Sequence, residues 1–222
     1  MIAQAVESTS IEDAYSWDGV HVRANMIVTL DGAVTGRDGT SGSLGTPTDR
    51  TVFSQLRRTS DAVLVGAGTF TTEQYRPITS GPALCVVSRS LGLDPRNPAF
   101  HEGTHRAYVL TCESAPSDRR DAFANIATVI IAGSDRVDLR SGVSQLRHLA
   151  GPRVLCEGGP QLLAAMFDQG VVDELCLSIS AKTSGNADAL RLLGGHSVRT
   201  IWRFTQVLWD ADGVYARLTA QH

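Results

Sequence analysis

The chain has 222 residues, 42% apolar content and a net charge of −3. That length and composition build one globular domain, and they exclude a disordered or fibrous chain. The acidic balance leaves no basic stripe to neutralise a nucleic-acid backbone, and no apolar run reaches the roughly 18 residues of a membrane span.

The opening MIAQAVESTSIEDAYS has no Lys or Arg and no apolar stretch, so it does not read as a signal peptide. Residues 1–17 read as a weakly structured surface lead-in to a single domain spanning 1–222. Cys85, Cys112, Cys156 and Cys176 show no C-x-x-C spacing. Three of them sit in apolar runs, so buried thiols in a reducing, cytoplasmic compartment are expected.

His21–Leu30 is the first predicted strand. Alternation puts Val22, Ala24, Met26, Val28 and Leu30 on one face, and Arg23, Asn25, Ile27, Thr29 and Asp31 on the other. The second face is either that of a half-exposed edge strand or a cleft wall carrying an amide, a hydroxyl and a carboxylate. Asp49–Arg58 is the first predicted helix, with Val52, Phe53 and Leu56 on one face and Thr48 or Asp49 as its cap.

Ala62–Val65 is an apolar strand that runs into Gly66-Ala67-Gly68-Thr69. Glycines there let backbone approach a ligand closely, but the third glycine of a dinucleotide fingerprint is missing and no clear helix follows. The next strand, Ala83–Val87, ends in Ser88-Arg89-Ser90, a guanidinium between hydroxyls that suits a phosphate monoester. His101-Glu102-Gly103-Thr104-His105 matches the zinc-protease pattern in letters only. A glycine inside it and Asn97-Pro98 before it argue against the required helix.

Strands at Ala107–Leu110 and Thr128–Ala132 alternate with helices at Ser117–Asn125 and Ser141–Ala150. Arg153–Cys156 then runs into Glu157-Gly158-Gly159-Pro160, and a helix over Gln161–Gln169 follows at once. Paired glycines before a helix start present free amides and a positive dipole end, which is a ready anion site. Glu174–Ala181 reads as a strand, and Ile201–Trp209 and Gly213–Ala220 form a hairpin about Asp-Ala-Asp-Gly. Strand–helix alternation closing on a hairpin predicts an α/β domain with a mostly parallel sheet and an antiparallel C-terminal part.

Taken in order, ANMIVTLDG, SGSLGTPTDR, SDAVLVGAGT, VLCEGGPQLL and VDELCLSISAK resemble the reductase family of riboflavin biosynthesis. The resemblance runs nearly the full length and implies a dihydrofolate-reductase-like three-layer sandwich, an NADPH cofactor and a homodimer built by the C-terminal part. It implies that Gly66, Gly68 and Thr69 hold the NADPH pyrophosphate with Gly158 and Gly159, and that Ser88 and Arg89 meet the 2′-phosphate. Asn25, Thr29, Thr46 and Arg50 would face the substrate, with Asp31 and Glu157 as the candidate catalytic pair.

The implied reaction reduces the ribosyl group of 5-amino-6-(5-phosphoribosylamino)uracil to ribityl. No metal, nucleic acid or membrane enters it. The pattern that helps the family hold the phosphoribosyl group is replaced by TTEQYRPIT, in which Arg76 is offset, and Ser43-Leu44-Gly45 replaces a Trp-Ile-Thr stretch. These changes keep dihydrofolate or another pterin open as a substrate, and beside it a non-catalytic NADPH-binding protein. No H-x-E…P-C-x-x-C deaminase pattern is present.

Overall fold

The computed structural model describes residues 2–6, 10–17, 19, 21–197 and 199–221. Among these, strands β1 (Ile2–Ala5), β2 (Val22–Thr29), β3 (Ala62–Gly66), β4 (Ala83–Val87), β5 (Ala107–Thr111), β6 (Ala127–Ile131), β7 (Val154–Cys156), β8 (Glu174–Ser180), β9 (Ile201–Trp209) and β10 (Gly213–Gln221) form one sheet. Its order is β1-β9-β10-β8-β2-β7-β3-β4-β5-β6. Neighbours are parallel except at β10, which runs antiparallel to β8 and β9. Helices α1 (Ile11–Ala14), α2 (Pro47–Thr59), α3 (Ala67–Thr72), α4 (Ser117–Ala124), α5 (Leu139–Ala150) and α6 (Pro160–Asp168) complete the chain.

The inner strands β3, β4 and β7 are apolar on both faces because helices cover both. On one side Leu139, Val143 and Leu146 of α5 and Leu163, Met166 and Phe167 of α6 pack on Ala24, Leu64 and Cys156. On the other, Val52 and Leu56 of α2, Phe70 of α3 and Phe123 of α4 pack on Val63, Val65 and Leu155. These are the three layers expected. All four cysteines are buried and free.

β2 is an inner strand between β7 and β8, not an edge. Val22, Ala24, Met26 and Val28 enter the core as the alternation predicts, whereas Leu30 lies beyond the strand and is 65% exposed. The helix after β3 is present: α3 starts directly on Gly66, where the sequence shows no clear helix. Thr46 caps α2, its hydroxyl accepting from the Asp49 amide at 3.0 Å, so the cap precedes the two residues expected for it.

Residues 1–17 are not a loose lead-in where they are described. β1 adds to the outer edge of β9 in parallel, and Ala14 and Tyr15 are buried. β1 is held by its ladder with β9, and the turn around Tyr15 by an ion cluster under the sheet. Glu174, 1% exposed, lies 2.6 Å from Arg23 Nε and 2.8 Å from Arg217 Nη2. The spare guanidinium donors reach the turn after α1: Arg23 bonds Tyr15 and Ser16 carbonyls, and Arg217 bonds that of Ala14. Trp17 stacks on Arg23, ring centroid to Cζ 4.4 Å. The buried charges thus recruit the N-terminal backbone as their solvent.

Candidate active site

A cleft of about 1640 Å³ opens at the C-terminal ends of the central parallel strands. Ligands of open α/β sheets bind there, because strand ends and helix starts bring free backbone groups together. Its volume exceeds the roughly 300–1,000 Å³ that holds one drug-sized ligand, so a cofactor and a substrate fit side by side.

One wall is backbone. β3 and β7 are adjacent and parallel, so the turns that follow them meet. The Gly66 amide donates to the Gly158 carbonyl at 2.8 Å. Gly66 is the N-cap of α3 and Gly159 that of α6, and neither helix start has a side-chain cap. The start of α6 therefore leaves donors free for an anion. A Cβ at Gly159 would lie 2.2 Å from Thr69 Oγ1, whereas one at Gly68 would meet nothing within 4 Å. Gly158 has φ +83°, and a Cβ there would sit 2.9 Å from Met26 Sδ. It joins the two turns but does not line the cleft. Ser88, buried, and Arg89, exposed, extend this wall from the end of β4. Arg136, on the loop before α5, also lines it, a cation that sequence reasoning missed.

The facing wall is polar and lies under α2. Asn25 and Ile27 of β2 line it with Arg50, Phe53 and Arg57 of α2 and Glu157 after β7. Asn25 is 9% exposed and its Oδ1 has no hydrogen-bond partner. Glu157 is held tightly: Arg57 Nε and Nη2 each lie 2.6 Å from one of its oxygens, and the Tyr75 hydroxyl lies 2.5 Å from Oε2. Asp49 lines the same wall, and sequence reasoning had used it only as a helix cap. Burial pushes its carboxyl up, against the Ser178 hydroxyl and the Arg50 charge.

Besides Gly158, three candidates from the sequence stand apart from the cleft lining. Asp31 accepts from the Thr29 hydroxyl at 2.5 Å and from the Ser184 and Gly185 amides at 2.9 Å each. These bonds, that of Thr29 first, hold its carboxyl well below the usual carboxylate range. Thr29 also accepts from the Ala33 amide at 2.9 Å. Thr46, besides capping α2, shares a 2.7 Å bond with the Tyr215 hydroxyl. Thr29 and Asp31 therefore spend their polar atoms on turns and loops, and Thr46 on the start of α2 and on β10. Asp31 pins the loop from which Leu190 and Gly194 reach the cleft. The His101–His105 segment is outside any helix, and no cluster of three or more His, Cys, Asp or Glu that could hold a metal occurs among the described residues. No helix among them is long and apolar enough to cross a membrane.

Comparison with known proteins gives the family and the fold. The 2,5-diamino-6-ribosylamino-4(3H)-pyrimidinone 5′-phosphate reductase of Methanothermobacter thermautotrophicus is 30% identical over 80% of this chain and 85% of its own. A pyrimidine reductase-like protein from Corynebacterium diphtheriae superposes with TM-score 0.83 at 22% identity, over 96% of this chain and all of its own. Dihydrofolate reductase from Enterococcus faecalis, solved with NADP(H), shares the fold at TM-score 0.50 and 14% identity, over 90% of this chain and 96% of its own. The sequence profile of the RibD C-terminal domain covers residues 20–216. The chain is an oxidoreductase that belongs to the RibD C-terminal domain family.

Proposed function

We propose that the protein is an NADPH-dependent reductase of a phosphoribosylaminopyrimidine in riboflavin biosynthesis. The observation that carries this reading is the buried, unpartnered Asn25 Oδ1 beside the glycine cradle. A buried acceptor without a partner costs roughly 1–3 kcal/mol, so it calls for a ligand donor. A ring amine supplies one, and the Methanothermobacter relative is named for a diaminopyrimidinone. The deaminated uracil and a pterin carry amines too, so it is the relative's name, and not Asn25, that favours the diamino ring.

Bound NADPH would supply a hydride to C1′ of the open-chain imine, whose nitrogen gains a proton from water, leaving the ribitylamine and NADP⁺. The protein's part is positioning in a walled site. Gly66, Gly68, Thr69 and Gly159 would hold the pyrophosphate, with Gly158 joining their two turns. Ser88 and Arg89 would hold the 2′-phosphate. Asn25, Arg50 and Glu157 would hold the substrate, Asp31 and Thr29 would act through the loops they fix, and Thr46 through the start of α2.

The test is NADPH oxidation with the diaminopyrimidinone ribosyl phosphate, its deaminated uracil counterpart and dihydrofolate. Turnover is expected with the first and fastest on it. Tight NADPH binding with no turnover on any of the three would overturn the reading in favour of a non-catalytic binder.

Cofactor choice gives a second result. A hydrogen bond to a charged group is worth about 1.5–3 kcal/mol. Arg89→Ala should therefore weaken NADPH by roughly 10- to 100-fold and leave NADH nearly unchanged, as read by fluorescence titration. Equal losses for both cofactors would remove Arg89 from the 2′-phosphate.

We also propose a homodimer through the C-terminal hairpin. Register places Trp202, Phe204, Val207 and Trp209 of β9 on one face, opposite Ala220, Leu218, Ala216 and Val214. Phe204 and Trp209 are 48% and 51% exposed, an apolar face that asks for a cover. Light scattering should give twice the chain mass, and Phe204→Glu with Trp209→Glu should halve it. A wild type that stays monomeric at micromolar concentration would exclude the dimer.

A further inference from the structure

The segment TTEQYRPIT, where the chain departs from the family's phosphoribosyl pattern, contributes Tyr75 to the cleft. Tyr75 follows a turn at Gln74, which has φ +50°. Its ring leans on Phe70, centroids 5.8 Å apart, and its hydroxyl reaches Glu157 Oε2. Beside it Arg57 makes its two-pronged contact with Glu157 and is itself stacked between rings. Its Cζ lies 4.5 Å from the Phe53 centroid and 5.6 Å from that of Tyr75.

A carboxylate offers about four acceptor positions. Arg57 Nη2 and Tyr75 fill Oε2, and Arg57 Nε takes one position on Oε1. One position remains, on Oε1, in a side chain that lines the cleft. Resting on the function proposed above, we infer that Tyr75 is a positioning residue. With Arg57 it fixes Glu157 as an acceptor for a single ribose hydroxyl of the substrate, and Glu157 does not act as a proton donor.

Two further facts fit. Burial first, and then the Glu157 carboxylate, raise the Tyr75 hydroxyl well above its usual range, so it stays a donor across the working pH. Burial works against the Arg57 charge, but its bonds to Glu157 more than offset that and raise it further. Among the described residues, Asn25, Asp49 and Arg50 of the same wall make no hydrogen bond to Glu157, which leaves its open position to a ligand.

The test is a double-mutant cycle between Tyr75→Phe and Glu157→Gln. Tyr75→Phe should leave the fold and NADPH affinity unchanged, lower the melting temperature modestly and lower kcat/KM by about tenfold. In the Glu157→Gln background the same change should have an effect of less than about twofold. Binding of D-ribose 5-phosphate, followed by calorimetry, gives a readout that needs no turnover, and the same loss and the same disappearance are expected. A tenfold loss that persists in the Glu157→Gln background, no loss in Tyr75→Phe, or no ribose phosphate bound by the wild type would each overturn the inference. Failed turnover of all three candidate substrates, with the ribose-phosphate coupling intact, would overturn the substrate reading alone.

Discussion

Glu174→Ala is expected to destabilise the protein by about 3–5 kcal/mol, the usual consequence of removing one partner from a buried ion pair. Arg23 is fully buried, and Arg217 is 14% exposed, so neither guanidinium can turn to water when the carboxylate goes. The carbonyls of Ala14, Tyr15 and Ser16 would remain as their acceptors, but these carry no charge. At roughly 2–4 °C per kcal/mol for a chain of this size, the melting temperature should fall by about 6–20 °C. The damage should appear first in the segment after α1, as earlier proteolysis and as a change in Trp17 fluorescence. A midpoint in urea equal to that of the wild type would mean that the cluster contributes register and not stability.

Gly159→Ala is the second large effect. The φ of Gly159 is −77°, open to any residue, so the consequence is steric. The new methyl would land 2.2 Å from Thr69 Oγ1, with Thr69 Cβ next at 3.6 Å. Either the hydroxyl swings out of the phosphate wall or α3 and α6 move apart, and overpacking of this kind costs about 1–3 kcal/mol. NADPH affinity should fall roughly 10- to 100-fold. Adding Thr69→Ala removes the obstructing atom, so the double variant should bind NADPH better than Gly159→Ala alone. If both variants bind as tightly as the wild type, the two turns do not hold the pyrophosphate.

The sheet was legible because most strands and helices carry their own signal. β3, β4 and β7 are apolar on both faces, and Pro160 and Gly170 bracket α6. The meeting of the two glycine turns was an implication of the family resemblance, and the parallel pairing of β3 with β7 is what brings them together. What the letters concealed depended on long-range partners. Asp31 looked catalytic because an acid after a strand is free until a distant loop, Ser184–Gly185, claims it. Arg57 sits at the end of α2, where any cation suits the helix dipole, and its fork fits Glu157, a hundred residues away. The N-terminal segment has weak local propensity, and what orders it is the ladder with β9 and a charge cluster assembled from β2, β8 and β10. α3 is six residues of Ala, Gly, Thr and Phe, too short for any period to show.

The outermost position of β1 gives the termini unequal weight. Paired in parallel with β9 from Ile2↔Gln206 to Ala5↔Trp209, four residues cover the row of amides and carbonyls along that flank. A variant shortened before Val6 would bare this row beside the exposed Phe204 and Trp209, and an open ladder next to aromatic surface recruits strands from other chains. Truncation at the start of the chain therefore carries a risk of fibrillar self-association that has nothing to do with chemistry in the cleft.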